Sequence, residues 1–197
     1  MQAKDKFLEK INLLILVIGL CFSQTLSAED IYEKIFNYND QLKNSSVKFI
    51  QTNLNEIQEG VIYFGDERIK IIYTKPQKIT IILSEKKGIY INHELKESQF
   101  FATKNSYIKF LFDIFHKKKR MKELTVKKSK YKIEIGEKIK LDDVLYNIKV
   151  EYENEPIKLR RLEVVSENEK TQMGFFDHKI EQSFEKKNFS MIDPYLN

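Results

Sequence analysis

The 197-residue chain contains one cysteine, three histidines, three prolines and six glycines, and each scarcity excludes something. Cys21 lies within an N-terminal apolar run, so removal of that run leaves no thiol for a disulfide and stability must come from the core. His93, His116 and His178 are far apart, with no HxH or HxxxH spacing, and neither a metal nor another cofactor is expected. There is no GxSxG elbow, no Walker-type glycine loop and no GxGxxG, so acyl transfer by that elbow, nucleotide hydrolysis and dinucleotide chemistry lack their local signatures. Asp142 and Asp143 sit in a polar turn and read as solvated rather than as an acid and base pair. No catalytic residue, and hence no enzyme, is expected.

Long apolar runs are also missing. Ile11 to Phe22 falls well short of the ~20 residues that span a bilayer. Preceded by Lys4, Lys6 and Lys10 and followed by Ser27 and Ala28, it has the three-part layout of a secretory signal peptide. Residues 1–28 are therefore expected to be a cleaved leader and residues 29–197 a single exported, periplasmic domain. An uncleaved membrane anchor is the main rival, and a lipid-bearing Cys21 the lesser one, since the residue before such a cysteine is normally small and Leu20 is large. The remaining residues, about 170, suit one domain with a sizeable core, and no Pro- or Gly-rich linker or internal repeat divides them.

What is present is alternation. Val47 to Pro76 holds three short segments in which apolar residues recur at every second position, Val47 and Phe49, then Ile62 and Phe64, then Ile69, Ile71 and Tyr73. Three more such runs follow, Lys78 to Leu83, Gly88 to Ile91 and Gln99 to Ala102, joined by polar turns. From Leu124 onward KYKIEIG, VLYNIKVEYE, IKLRRLEVVS, TQMGFFDHKI and NFSMI continue the pattern. Two stretches change to helical spacing. Ile31, Ile35, Tyr38 and Leu42 make one stripe over Glu29 to Lys43, ended by Asn44 and Ser45. Ile108, Leu111, Phe112 and Phe115 make another from Asn105, which Ser106 can cap and which runs into His116 and the basic run Lys117 to Arg120. That run suits a helix C-terminus, and equally a lid touching an anionic membrane.

Strands in succession without crossovers argue for an antiparallel meander, and about ten of them exceed what an open twisted sheet holds without curling. The predicted fold is α+β, a half-open, highly curved antiparallel sheet, an incomplete barrel covered by lid helices. The net charge of +5 is read as a solvated surface of both signs, not as a nucleic-acid site.

The order of a short N-terminal helix, F-x-Q at Phe49 to Gln51, Gly60 opening I-Y-F, Arg68 to Tyr73, Pro76, a strand pair leading to a helix at Ser106, and F-x-x-x-x-P at Phe189 to Pro194 resembles the periplasmic outer-membrane lipoprotein carrier proteins, the LolA family. The resemblance implies a monomeric carrier. Its apolar cavity would take the acyl chains of outer-membrane lipoproteins from an inner-membrane ATP-driven release complex to an outer-membrane receptor. Many members have an Arg-Pro pair after the G-x-I-Y-F strand, whose arginine latches the lid. Here those positions are Asp66 and Glu67, and the nearest arginine, Arg68, is the candidate latch or else an ordinary surface residue.

The expected cavity face carries Phe49, Ile62, Phe64, Ile69, Ile71, Tyr73, Ile81 and Leu83, covered by the lid residues Ile35, Leu42, Phe112 and Phe115. Two other classes fit the same sequence, a lipid- or lipoprotein-sensing module on the same half-barrel and an exported hydrolase without recognisable motifs.

Overall fold

Asn44, at φ 57°, ends the N-terminal helix and turns the chain directly into the strand at the middle of the sheet. The computed structural model describes residues 28–53, 56–104, 106–141 and 143–196. Residues 1–27 of the expected leader, Cys21 among them, and Asn105 and Asp142 lie outside the described residues. Two units are distinguished, Met1–Ile31 and Tyr32–Asn197, and the sheet belongs to the second.

Helix α1 (Ala28–Gln41) is followed by β1 (Ser45–Asn53), β2 (Glu56–Phe64), β3 (Ile69–Lys75), β4 (Ile79–Leu83), β5 (Lys87–Asn92) and β6 (Glu97–Ala102). Helices α2 (Tyr107–His116) and α3 (Lys118–Met121) then lead to β7 (Thr125–Lys128), β8 (Lys132–Leu141), β9 (Val144–Glu153), β10 (Lys158–Val165) and β11 (Lys170–Lys179). The eleven strands form one sheet in the order β6-β5-β4-β3-β2-β1-β11-β10-β9-β8-β7. The chain thus starts in the middle, winds out to one edge, crosses by the two helices to the other edge and winds back to lie beside its start. Each neighbouring pair is antiparallel, and the edge strands β6 and β7 do not meet.

Leu83 of β4 and Val150 of β9 line the same cavity although their strands are six places apart in the sheet. Flat, they would stand about 29 Å apart at ~4.8 Å per strand. The sheet is therefore curled into an incomplete half-barrel, as expected. Gly60 and Gly88 mark strand positions where a ring replaces a side chain, Phe49 lying over the first and Phe101 over the second.

The register puts every expected cavity residue of the sheet on one face. Phe175, Phe49, Gly60, Tyr73 and Ile79 form one row across β11 to β4, Val47, Ile62, Ile71 and Ile81 the next, and Phe64, Ile69 and Leu83 the last. The same face continues through Met173, Leu162, Val150 and Ile135.

Three expectations need correction. NFSMI is not a strand. Lys186–Phe189 is a 3-10 turn, and both flanks of β11 are already taken by β1 and β10, so the tail has no edge to join. It crosses the outer face instead, where Met191 and Tyr195 cover the buried cluster Ile82, Ile89 and Ile91. Thr125–Lys128, unforeseen because only Val126 in it is apolar, pairs with β8 as the edge strand, and its lysines suit an edge that should not recruit further strands. Ser106 occupies the N-cap position of α2 but makes no capping bond; its hydroxyl donates to the Thr103 carbonyl at 2.8 Å.

Candidate functional site

Thirteen side chains, all apolar, enclose a cavity of about 60 Å³ between the concave face of the sheet and α2. Ile62, Phe64, Ile69, Ile71 and Leu83 come from β2 to β4, and Val150, Leu159, Leu162, Met173 and Phe175 from β9 to β11. Leu111, Phe112 and Phe115 of α2 close it. Phe64 and Phe115 meet at a ring separation of 5.1 Å. Larger depressions exist, about 360 Å³ beside the β2–β3 turn and about 480 Å³ over β7 to β9, but charged side chains line both, joined in the first by the rings of Phe184 and Phe189.

Of the expected cavity residues, Phe49, Tyr73 and Ile81 share the face without lining the hollow. Phe49 is fully buried and packs edge to face on Tyr73 at 5.2 Å. Tyr73 in turn donates to Gln51 Oε1 at 3.0 Å, and Gln51 donates to Gln58 at 2.9 Å, so this row is a polar and aromatic plug beyond the hollow. Of the expected lid residues, Phe112 and Phe115 line the cavity, whereas Ile35 and Leu42 are fully buried core. The sequence reading missed Leu111 and the entire β9 to β11 wall. Their alternation was legible, but which face they share with β2 to β4 is set by the Phe49 to Phe175 register across β1 and β11.

Arg68 does donate to a carbonyl, that of Phe189 at 2.6 Å, so it ties the C-terminal tail rather than a helix. The helices are held by another residue. Asn39 of α1, 2% exposed, donates from Nδ2 to the Ile114 carbonyl of α2 at 3.1 Å. Carbonyls in the last turn of a helix lack an intrahelical partner, and this one is buried, so the amide satisfies it. Asn39 Oδ1 accepts from the Tyr152 hydroxyl of β9 at 3.2 Å. Burial raises the Tyr152 phenol well above its usual range, which keeps its proton available for that bond. One amide thus joins α1, α2 and the sheet.

His116 closes α2 at the opposite side. Its ring stacks on Phe112 at 4.2 Å, with Nδ1 3.0 Å from the Phe112 carbonyl and Nε2 3.4 Å from the Gly65 carbonyl of the β2–β3 turn. Burial pushes its pKa down, against the opposing effect of those carbonyls. Burial, helped by Lys158, pushes His178 down to about 4. A histidine whose folded pKa lies below its unfolded value of about 6.5 contributes stability that is present above that pH and lost as pH falls toward the folded value. Melting temperature is therefore expected to fall between about pH 7 and pH 5, by about 2–4 °C for each kcal/mol lost. A His178→Gln variant should show a flatter slope over this range, and an unchanged slope would clear that imidazole of the effect.

The basic run is mostly paired. Lys118 bonds Glu33 of α1 at 2.6 Å and lies 5.3 Å from the Phe36 ring, Arg120 pairs with Glu123 and Glu137, and Lys117 pairs with Glu85 of the β4–β5 turn.

A sheet wound outward from its middle strand, with its edges joined by helices over an apolar hollow, is the arrangement that known structures can be compared with. The chain shares its fold with an uncharacterized conserved protein from Thermus thermophilus. The TM-score is 0.53 at 7% identity, over 86% of this chain and 97% of that one. Weaker likenesses are to the MucA/MucB complex of Pseudomonas aeruginosa, at TM-score 0.46 and 7% identity over 81% of this chain and 59% of that one, and to LprF from Mycobacterium bovis, at 0.36 and 8% over 77% and 94%. At such identities the likeness is one of fold. No protein-family model matches the sequence, and no curated protein matches it.

Proposed function

We propose that the protein is a periplasmic carrier that shelters the acyl chains of lipoproteins in the hollow under α2 and moves them from the inner to the outer membrane. The observation that supports this most is an apolar enclosure assembled from six strands and closed by one helix, with no polar side chain in its wall. Each methylene taken out of water is worth about 0.8 kcal/mol, so a lipoprotein with several fatty chains needs such a shelter to cross an aqueous space.

The hollow of about 60 Å³ is several times smaller than the about 300–1,000 Å³ usual for ligand pockets, so on this reading it must widen to take an acyl chain. Loading requires Leu111, Phe112 and Phe115 to swing out with α2, leaving the curved sheet as the fixed wall. Met173, unbranched and adaptable, suits a wall that must fit chains of differing shape. The chain has no phosphate loop, so the work of loading falls to an ATP-driven release complex in the inner membrane, with delivery to an outer-membrane receptor. The reading includes no catalytic step and no cofactor.

Binding of an environment-sensitive apolar dye tests it. Ile71→Glu puts a charge into the wall and should weaken dye binding at least about tenfold, whereas Ile57→Glu, at a residue 66% exposed, should leave it unchanged. Unchanged binding in an Ile71→Glu protein that retains its far-UV circular dichroism would overturn the assignment.

A further inference from the structure

The connection from β6 to β7, residues 103–124, carries seven basic residues against two carboxylates, an excess of five that equals the net charge of the whole chain. The helices over the cavity therefore hold the positive charge, and the rest of the chain is neutral on balance. Beside them the β4–β5 turn adds the exposed Lys86, and the start of β5 the exposed Lys87. The turn and the end of α2 form one corner, because Lys117 pairs with Glu85 and the Thr103 hydroxyl donates to the Glu85 carbonyl at 2.9 Å. Glu85 is held below the ordinary carboxylate range, first by the hydrogen bond from Lys117 and then by the charges of Lys117, Lys109 and Lys86.

This corner borders the cavity. Leu83 and Phe115 line the hollow, Leu83 standing three residues before Lys86 and Phe115 two before Lys117. The pairs that fasten it are exposed, with Lys117 and Glu85 at 41% and 50% and Lys118 and Glu33 at 46% and 34%. Such pairs are weak and screened by salt. Near an anionic phospholipid surface each lysine gains roughly fivefold in binding, and several act together. An anionic lipid surface is therefore comparable in strength to these carboxylates as a partner for the lysines.

We propose that the corner formed by Lys86, Lys87, Lys117 and Lys118 is a docking surface for an anionic phospholipid bilayer, and that docking draws Lys117 and Lys118 away from Glu85 and Glu33 and so loosens α2. The docking stands on charge and exposure alone; its use, opening the cavity where chains are exchanged, rests on the carrier reading.

Flotation of the purified protein with vesicles tests the proposal, comparing phosphatidylcholine alone with phosphatidylcholine containing about one-third phosphatidylglycerol. Binding is expected only to the anionic vesicles and should fall with added salt. The triple variant Lys86→Gln, Lys87→Gln, Lys117→Gln should lose about a hundredfold in vesicle binding while keeping its apolar-dye binding in solution. Glu85→Gln, which removes a carboxylate from the corner and leaves Lys117 only its pair with Asp113 at 3.5 Å, should bind several-fold more tightly. Equal binding to both vesicle types, or a triple variant that floats like the parent, would overturn the proposal. The two readings fail separately: a parent that floats but binds no dye would end the carrier reading alone, and a parent that binds dye but does not float would end the docking alone.

Discussion

Asn39→Ala is expected to lower stability by about 3 kcal/mol and the melting temperature by about 10 °C. The substitution removes one bond from α1 to α2 and one from α1 to the sheet, and leaves the Ile114 carbonyl and the Tyr152 hydroxyl buried without a partner. Each such group costs about 1–3 kcal/mol. Alanine is the better helix former, but that returns only about half a kcal/mol. Because the lost bond holds the helix over the hollow, the same variant should take up apolar dye faster and bind more of it at saturation. A double-mutant cycle with Tyr152→Phe isolates the contact with the sheet, where a coupling of about 1 kcal/mol is expected. A melting shift below about 2 °C together with unaltered dye uptake would show that α2 is held by something else.

Gly60→Ala should be nearly as damaging, by about 3 kcal/mol. A Cβ there would fall well inside contact distance of the Ile72 carbonyl oxygen and within 2.6 Å of the Phe49 ring. The ring could shift, but the carbonyl belongs to the β2–β3 ladder and cannot move without breaking it. Phe49→Ala should for that reason fail to rescue Gly60→Ala, and rescue would place the whole conflict in the ring. Gly174→Ala is the control, since its nearest neighbour would be the Ile50 carbonyl at 3.9 Å. Far-UV circular dichroism with urea titration reads all three. Near-parent stability of Gly60→Ala would mean that β2 and β3 can part locally without cost.

Much of the molecule was readable in advance because short-range chemistry decides it. Alternation fixes which side chains share a face, so Ile62, Phe64, Ile69, Ile71 and Leu83 could be grouped before any register was known, and all five line the hollow. The helical stripe of α2 could likewise be read, and with it Phe112 and Phe115. Ile35 and Leu42 could not be sorted into lining or core, since an apolar stripe has the same spacing in either role. Asn39 looked like one more polar position on a helix. Its role needs Ile114 and Tyr152, 75 and 113 residues further along the chain, to arrive at the same amide. Arg68 could be identified as a donor, but its acceptor belongs to a tail whose own course depends on which sheet edges are already occupied.

By itself the sequence determined the kind of protein this is: an antiparallel meander with one oily face and two amphipathic helices. Those properties follow from periodicity and composition, which act over a few residues at a time. Only the tertiary structure decided where the oily face closes on itself, how little room is left there, and which buried amide joins two helices to the sheet. Each of these depends on the pairing of β1 with β11, a contact between segments more than a hundred residues apart that no local pattern encodes.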